Sequence, residues 1–179
     1  EIEGAVDIKA RRIIIENKNI ERIYINMVEI YCDGGCRGNG KETSVGGYGI
    51  VVVQNGEPHK ITGGKKNTTN NEMELTGLYG SIKIAKELIA RGEDCVKIYC
   101  DSAYSLNTTT DWMWKWAANG WTKKGGEIKN LELIQSIYNE LNFYCDANKI
   151  EFIKVKGHAG NEYNELADKI LNEYMDLHY

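Results

Sequence analysis

Apolar positions along the chain change period twice, and the changes divide it into elements. Val28 to Cys32 alternates and ends in Asp33-Gly34-Gly35, which predicts a strand stopping at a glycine-rich turn. Gly46 to Val53 predicts a second strand, entered through glycines. Asn55-Gly56 suits a two-residue hairpin turn, because both residues tolerate positive φ, and the partner strand falls at Pro58 to Gly63. From Asn70 to Arg91 the apolar residues stand at Leu75, Leu78, Ile82, Ala85, Leu88 and Ile89, the spacing of one helix face. Thr69 or Asn70 caps its start, and Gly92 lies just past its end. Val96 to Cys100 reads as another strand, and it too ends in an aspartate, Asp101. A stretch crowded with Trp112, Trp114, Trp116 and Trp121 reads as short helix or irregular chain. Leu131 to Phe143 predicts a helix, Ile150 to Val155 a last strand, and Asn161 to Met175 a last helix.

The order is therefore β β β α β α α β α. Short connections make the first three strands an antiparallel meander, and helical connections make the first, fourth and fifth strands parallel. This is an α/β arrangement: a five-stranded mixed sheet with helices on its faces. The predicted domain spans residues 27–179. Residues 1–26 stand apart as an N-terminal extension, a tail or a small extra module. There Arg12 to Glu16 and Ile20 to Ile25 flank Asn17-Lys18-Asn19 in a hairpin-like pattern, and Met27 reads as a natural start.

Composition narrows the setting. A chain of 179 residues is about one domain and can bury a core without disulfides. No apolar run approaches the roughly 20 residues that span a bilayer, and the charged N-terminus has no signal-peptide core. No membrane partner is expected. Five cysteines, an odd count, fit reduced thiols in the cytoplasm. Cys32 and Cys36 have no second Cys/His pair to complete a zinc set. No exposed heptad is evident, so a monomer is expected. The net charge of −4 argues mildly against a nucleic-acid partner. A carboxylate cluster that repels phosphates until cations fill it removes that objection.

Asp33 and Asp101 each follow a strand expected to lie in the parallel part of the sheet. Ligands of α/β sheets bind outside the carboxyl ends of parallel strands, at a switch in strand order. Alone, such aspartates equally well begin turns. Glu74 stands in the first turns of a helix that must return across the sheet toward the strand ending in Asp101, and Asp168 lies beside the core face of the last helix. Glu72 fits simple complementarity to the helix dipole. Four carboxylates at one sheet end are poor structure, but they suit two hard cations about 4 Å apart acting on a phosphodiester. Spacing alone leaves their convergence open.

The segments Tyr31-Cys-Asp-Gly-Gly-Cys-Arg-Gly-Asn-Gly40, Thr68-Thr-Asn-Asn-Glu-Met-Glu-Leu75, Tyr99-Cys-Asp-Ser102, Val155-Lys-Gly-His-Ala-Gly160 and Asn164-Glu-Leu-Ala-Asp168 together resemble the type 1 ribonuclease H family. Asp111 to Trp121 and Lys129-Asn130 match it as well, so the likeness runs from about Met27 to Met175. The resemblance implies the ribonuclease H-like fold. It also implies hydrolysis of the RNA strand of RNA–DNA hybrids with two Mg2+ ions, or Mn2+ in their place, leaving 5′-phosphate and 3′-hydroxyl ends. Asp33, Glu74, Asp101 and Asp168 match the family's metal-binding carboxylates. His158 matches a histidine on a mobile loop that aids proton transfer or product release. Cys36, Gly38 and Asn39 would touch the RNA strand; Asn70 and Asn71 would reach the groove. Thr69 and Asn130 would hold a DNA phosphate, and Trp112 and Trp116 would line the DNA channel, with core packing the alternative for the tryptophans.

The chain also departs from the family pattern. Asn67 stands where an arginine is frequent, beside Lys65 and Lys66, and Ala117-Ala118-Asn119 replaces a basic cluster that Lys115, Lys123 and Lys124 restore in part. Ala103 is smaller than is usual after the Asp-Ser pair. Rival readings are a hybrid-binding module without catalysis, another nuclease of the wider superfamily, and a protein whose carboxylates only begin turns.

Overall fold

The computed structural model describes residues 28–156 and 160–179. The proposed extension at residues 1–26, Met27 and the candidate His158 lie outside the described residues. The elements are β1 (Val28–Arg37), β2 (Val45–Gln54), β3 (Glu57–Lys66), α1 (Asn70–Ala90), β4 (Val96–Cys100), α2 (Ala103–Asn107), a π-helical turn (Thr108–Trp112), α3 (Met113–Ala118), α4 (Leu131–Leu141), β5 (Ile150–Lys154) and α5 (Glu162–His178).

The five strands form one sheet in the order β3-β2-β1-β4-β5. β1, β2 and β3 are antiparallel neighbours, and β1, β4 and β5 run parallel, as the connections required. Asn55 and Gly56 both have positive φ, 53° and 77°, the hairpin geometry their side chains suggested. β1 lies at the centre and hardly exposes a side chain before Asp33. β3 is an edge strand, mostly exposed, and it carries Pro58 and three lysines, residues that blunt an open edge.

One face of the sheet is covered by α1 and α4. Ile30, Ile50, Leu75, Leu78, Ile82, Ile98, Ile134 and Ile137 form its buried core. α5 covers the other face over Tyr31, Val51 and Val53, using Ala167 and Ile170. α1 starts where Thr69 accepts the Glu72 N–H through its hydroxyl, and it ends at Arg91 before Gly92, whose φ is 109°. The tryptophan-rich stretch is two short helices joined by the π-helical turn, with Trp114 Nε1 donating to the Thr109 carbonyl at 2.8 Å.

One expectation fails. β1 does not stop at the glycine-rich turn but continues to Arg37, paired with β2 at Asp33↔Gly49, Gly35↔Gly47 and Cys36↔Gly46. The glycines act as spacers inside a strand, because helices crowd both faces there. A Cβ on Gly34 would collide with Glu74 N and the Met73 carbonyl carbon, and one on Gly49 would collide with the Ala167 carbonyl. The parallel pairing does end where expected, at Cys32↔Cys100. Asp33 and Asp101 are thus the first residues past that ladder on adjacent strands.

Candidate active site

Three elements deliver three carboxylates to one point. Asp33 and Asp101 arrive from β1 and the end of β4. Glu74 arrives from the second turn of α1, which the missing side chains of Gly34 and Gly46 allow to lie against the sheet. Each offers a carboxylate oxygen within 4.8 Å of the others, and this is the group suited to a metal ion among the described residues.

Electrostatics mark the centre as short of positive charge. Burial first, then the charge of Asp101, then those of Asp168 and Glu74, push the Asp33 carboxyl up to about 8, against the pull of the Gly34 N–H. That N–H donates to Asp33 Oδ1 at 2.8 Å. Glu74 is also raised, by burial and then by Asp101, with the Ser102 hydroxyl opposing. Ser102 Oγ donates to Glu74 Oε2 at 2.7 Å. Lys154 Nζ donates not to a carboxylate but to the Asp101 main-chain carbonyl, at 2.7 Å.

Asp168 is not part of the tight group. It sits half-buried on α5, where Asn172 Nδ2 donates to its carbonyl at 2.9 Å and to its Oδ1 at 3.4 Å. It is near enough for its charge to raise Asp33.

The other sequence candidates fall into two groups. Around the start of α1, Asn39 Oδ1 accepts the Asn70 N–H at 2.9 Å, and Cys36 Sγ donates to the Thr68 carbonyl at 3.4 Å. Gly38 bends the chain with φ 70°. Gly38, Asn39, Thr69, Asn70 and Asn71 are exposed. Glu72, read as a dipole residue, is busier than that: it accepts from Thr68 Oγ1 at 2.6 Å and pairs with Lys65.

The second group lies along α2 and α3. Trp112 stands 6.2 Å from Trp116 and 6.2 Å from Tyr104, ring to ring, and Asn130 Nδ2 donates to the Tyr104 hydroxyl at 3.2 Å. Trp114 and Trp121 instead pack on Tyr138, a structural role. All five cysteines are free thiols, and Cys32, Cys95 and Cys100 are buried.

Sequence reasoning missed Ser102, Tyr104, Lys154 and Asn172. Each acts by contact with a residue distant in the chain or on another turn. Two left a local signal: Ser102, adjacent to Asp101 and at a helix start, and Asn172, one helical turn after Asp168.

A hard, oxygen-only donor set of this kind suits a divalent cation such as Mg2+ or Mn2+. Comparison with known proteins agrees with this picture. The sequence matches the RNase H family over residues 26–175. It is 39% identical over 151 residues to a ribonuclease H of Clostridium botulinum, covering 83% of this chain and 95% of that protein. Among solved structures it is similar to LC9-RNase H1, described as a type 1 RNase H with the type 2 active-site motif, with TM-score 0.69 and 29% identity over 86% of this chain and 74% of that one. The foamy viral protease-reverse transcriptase in complex with RNA/DNA hybrid shares the fold, with TM-score 0.65 and 16% identity over 83% of this chain and 20% of that one. Strand order, site and sequence thus agree: the chain belongs to the ribonuclease H family and is a hydrolase of that type.

Proposed function

We propose that the chain cuts the RNA strand of RNA–DNA hybrids at the Asp33–Glu74–Asp101 centre, with Asp168 completing the set. The convergence of three carboxylates within 4.8 Å carries the reading. A partly buried cluster of this charge, with Asp33 buried and pushed up to about 8, is costly as structure and suited to cations. Asp33, Glu74, Asp101 and Asp168 would hold two Mg2+ ions. When bound, such a pair supplies an activated water, charge neutralisation at phosphorus and stabilisation of the leaving 3′ oxygen, leaving 5′-phosphate and 3′-hydroxyl ends.

The protein's own groups do the rest. Gly34 N–H and Ser102 hold the Asp33 and Glu74 carboxylates, and Lys154 pins the Asp101 main chain. The exposed Asn39, Thr69, Asn70 and Asn71 at the start of α1 offer amide and hydroxyl groups to sugars and phosphates. Recognition of a hybrid needs contacts to 2′-hydroxyls on one strand and tolerance of deoxyribose on the other. Glu74, Cys36 and Gly38 would take the RNA side. Trp112, Trp116 and Asn130 would take the DNA side. His158 is proposed, on the family resemblance, to help proton transfer or product release.

The test is incubation with end-labelled hybrid, double-stranded RNA and single-stranded RNA, with Mg2+ and with chelator. Cleavage of hybrid RNA alone, and only with Mg2+, is expected. Binding of hybrid without cleavage under any divalent cation would replace the enzyme by a binding module.

A further inference from the structure

Ser102 has one proton and two lone pairs to place. It is 7% exposed, and Ser105 behind it is fully buried. The Ser105 N–H donates into Ser102 Oγ at 3.1 Å, capping α2. The two serine hydroxyls lie 3.1 Å apart, and Glu74 Oε2 lies 2.7 Å from Ser102 Oγ. A carboxylate can only accept. The single proton of Ser102 therefore goes to Glu74, and the Ser105 hydroxyl donates to Ser102. Every bonding capacity of Ser102 is then used, and its proton has one direction.

We infer that Ser102 is a positioning residue for cation binding: the relay from Ser105 through Ser102 locks the Glu74 carboxylate in its place beside Asp33 and Asp101. The inference rests on the proposed metal role of Glu74. Glu74 and Asp101 bring carboxylate oxygens within 4.8 Å of each other, so their like charges repel. A half-buried side chain without a directed partner would swing outward under that repulsion. One directed O–H bond holds it, and the lone pairs it leaves free on the carboxylate remain for a cation. Partners of this kind, outside the ligands themselves, commonly contribute 10- to 100-fold in metal affinity. The same relay joins the start of α2, which leads into the Trp112–Trp116 segment, to the carboxylate centre.

The experiment is calorimetric titration of the whole chain with Mg2+ or Mn2+ alone, on the parent protein and on S102A, S102G, S102T and S105A, with melting temperature and hybrid cleavage measured in parallel. S102A is expected to weaken cation affinity about tenfold. S102T, which keeps the hydroxyl, restores it, and S105A falls between. Glycine retains most of the N-cap preference of serine, so S102G separates capping from positioning. Affinity in S102G as low as in S102A supports the inference. Parent-like affinity in S102G or S102A overturns it, while leaving the metal assignment intact. Failure of the parent protein to bind either cation, or cleavage of hybrid without any, would instead sink the metal role of Glu74 on which the inference rests.

Discussion

At the carboxylate centre backbone lies against backbone, while along the tryptophan-bearing segment ring lies against ring. Gly34, Gly46 and Gly49 let α1 and α5 approach the sheet so closely that no Cβ would fit, and three carboxylates without an ion-pair partner among the described residues are pressed together there. Residues 103–121 are two short helices with a π-helical turn between them, held by Trp112, Trp116 and Tyr104 at 6.2 Å spacings and by Trp114 and Trp121 on Tyr138. Charges in that segment are already paired, as Lys115 is with Asp111 at 3.0 Å. The first region stores uncompensated charge in rigid geometry, and the second offers neutral aromatic surface. Activity should therefore depend steeply on the first and affinity shallowly on the second.

The sharpest break of that contrast is Asp101→Asn. Cleavage of hybrid should fall by more than about 100-fold, the upper range for losing a mere outer partner of a metal site, while the circular dichroism spectrum stays that of the parent. Substantial activity in this variant would remove the metal-centre assignment. Next is Gly34→Ala. Overpacking costs ~1–3 kcal/mol, and collision with main-chain atoms of Met73 and Glu74 puts this case near the top of that range. Denaturant unfolding measures it. A cost under about 0.5 kcal/mol, the size usual for surface changes, would show that the helix is free to retreat.

Stability without metal has a defined pH dependence. The Asp33 carboxyl is at about 8 in the folded chain and near 3.8 when free. The folded state thus holds a proton that the unfolded chain has released, and stability falls as pH rises through that window. Above it the penalty is complete, and cations have most to relieve. The rise in melting temperature on adding Mg2+ should be larger at pH 8 than at pH 5. Equal shifts at both values would mean that Asp33 lies outside the cation's reach.

The smallest effect concerns salt. Lys65 and Lys115, which stand where basic compensation was expected, are tied to Glu72 and Asp111. Hybrid affinity should therefore fall with salt along a slope shallower than about six phosphates' worth. A steeper slope would assign a larger phosphate-binding role to Lys66, Lys123 and Lys124.

Local pattern went far here. Alternation and helical spacing located every strand and the three long helices, because those periods reflect one buried face per element. Asn55-Gly56 named its own turn. Three of the four carboxylates singled out from strand ends and helix starts meet in space, while Asp168 stands outside the tight group. Where local pattern misled, the cause was packing. Asp33-Gly34-Gly35 has turn composition, and only the helices crowding both faces explain why glycine was needed inside a strand.

The chain alone determined which elements form and how they connect, since hydrophobic period, caps and turn residues act between near neighbours. Only the tertiary structure decided that Ser102 would steer Glu74 and that Lys154 would bind the Asp101 main chain. Those bonds require direction and distance to a few tenths of an ångström, and no linear spacing encodes that once separate helices and strands meet.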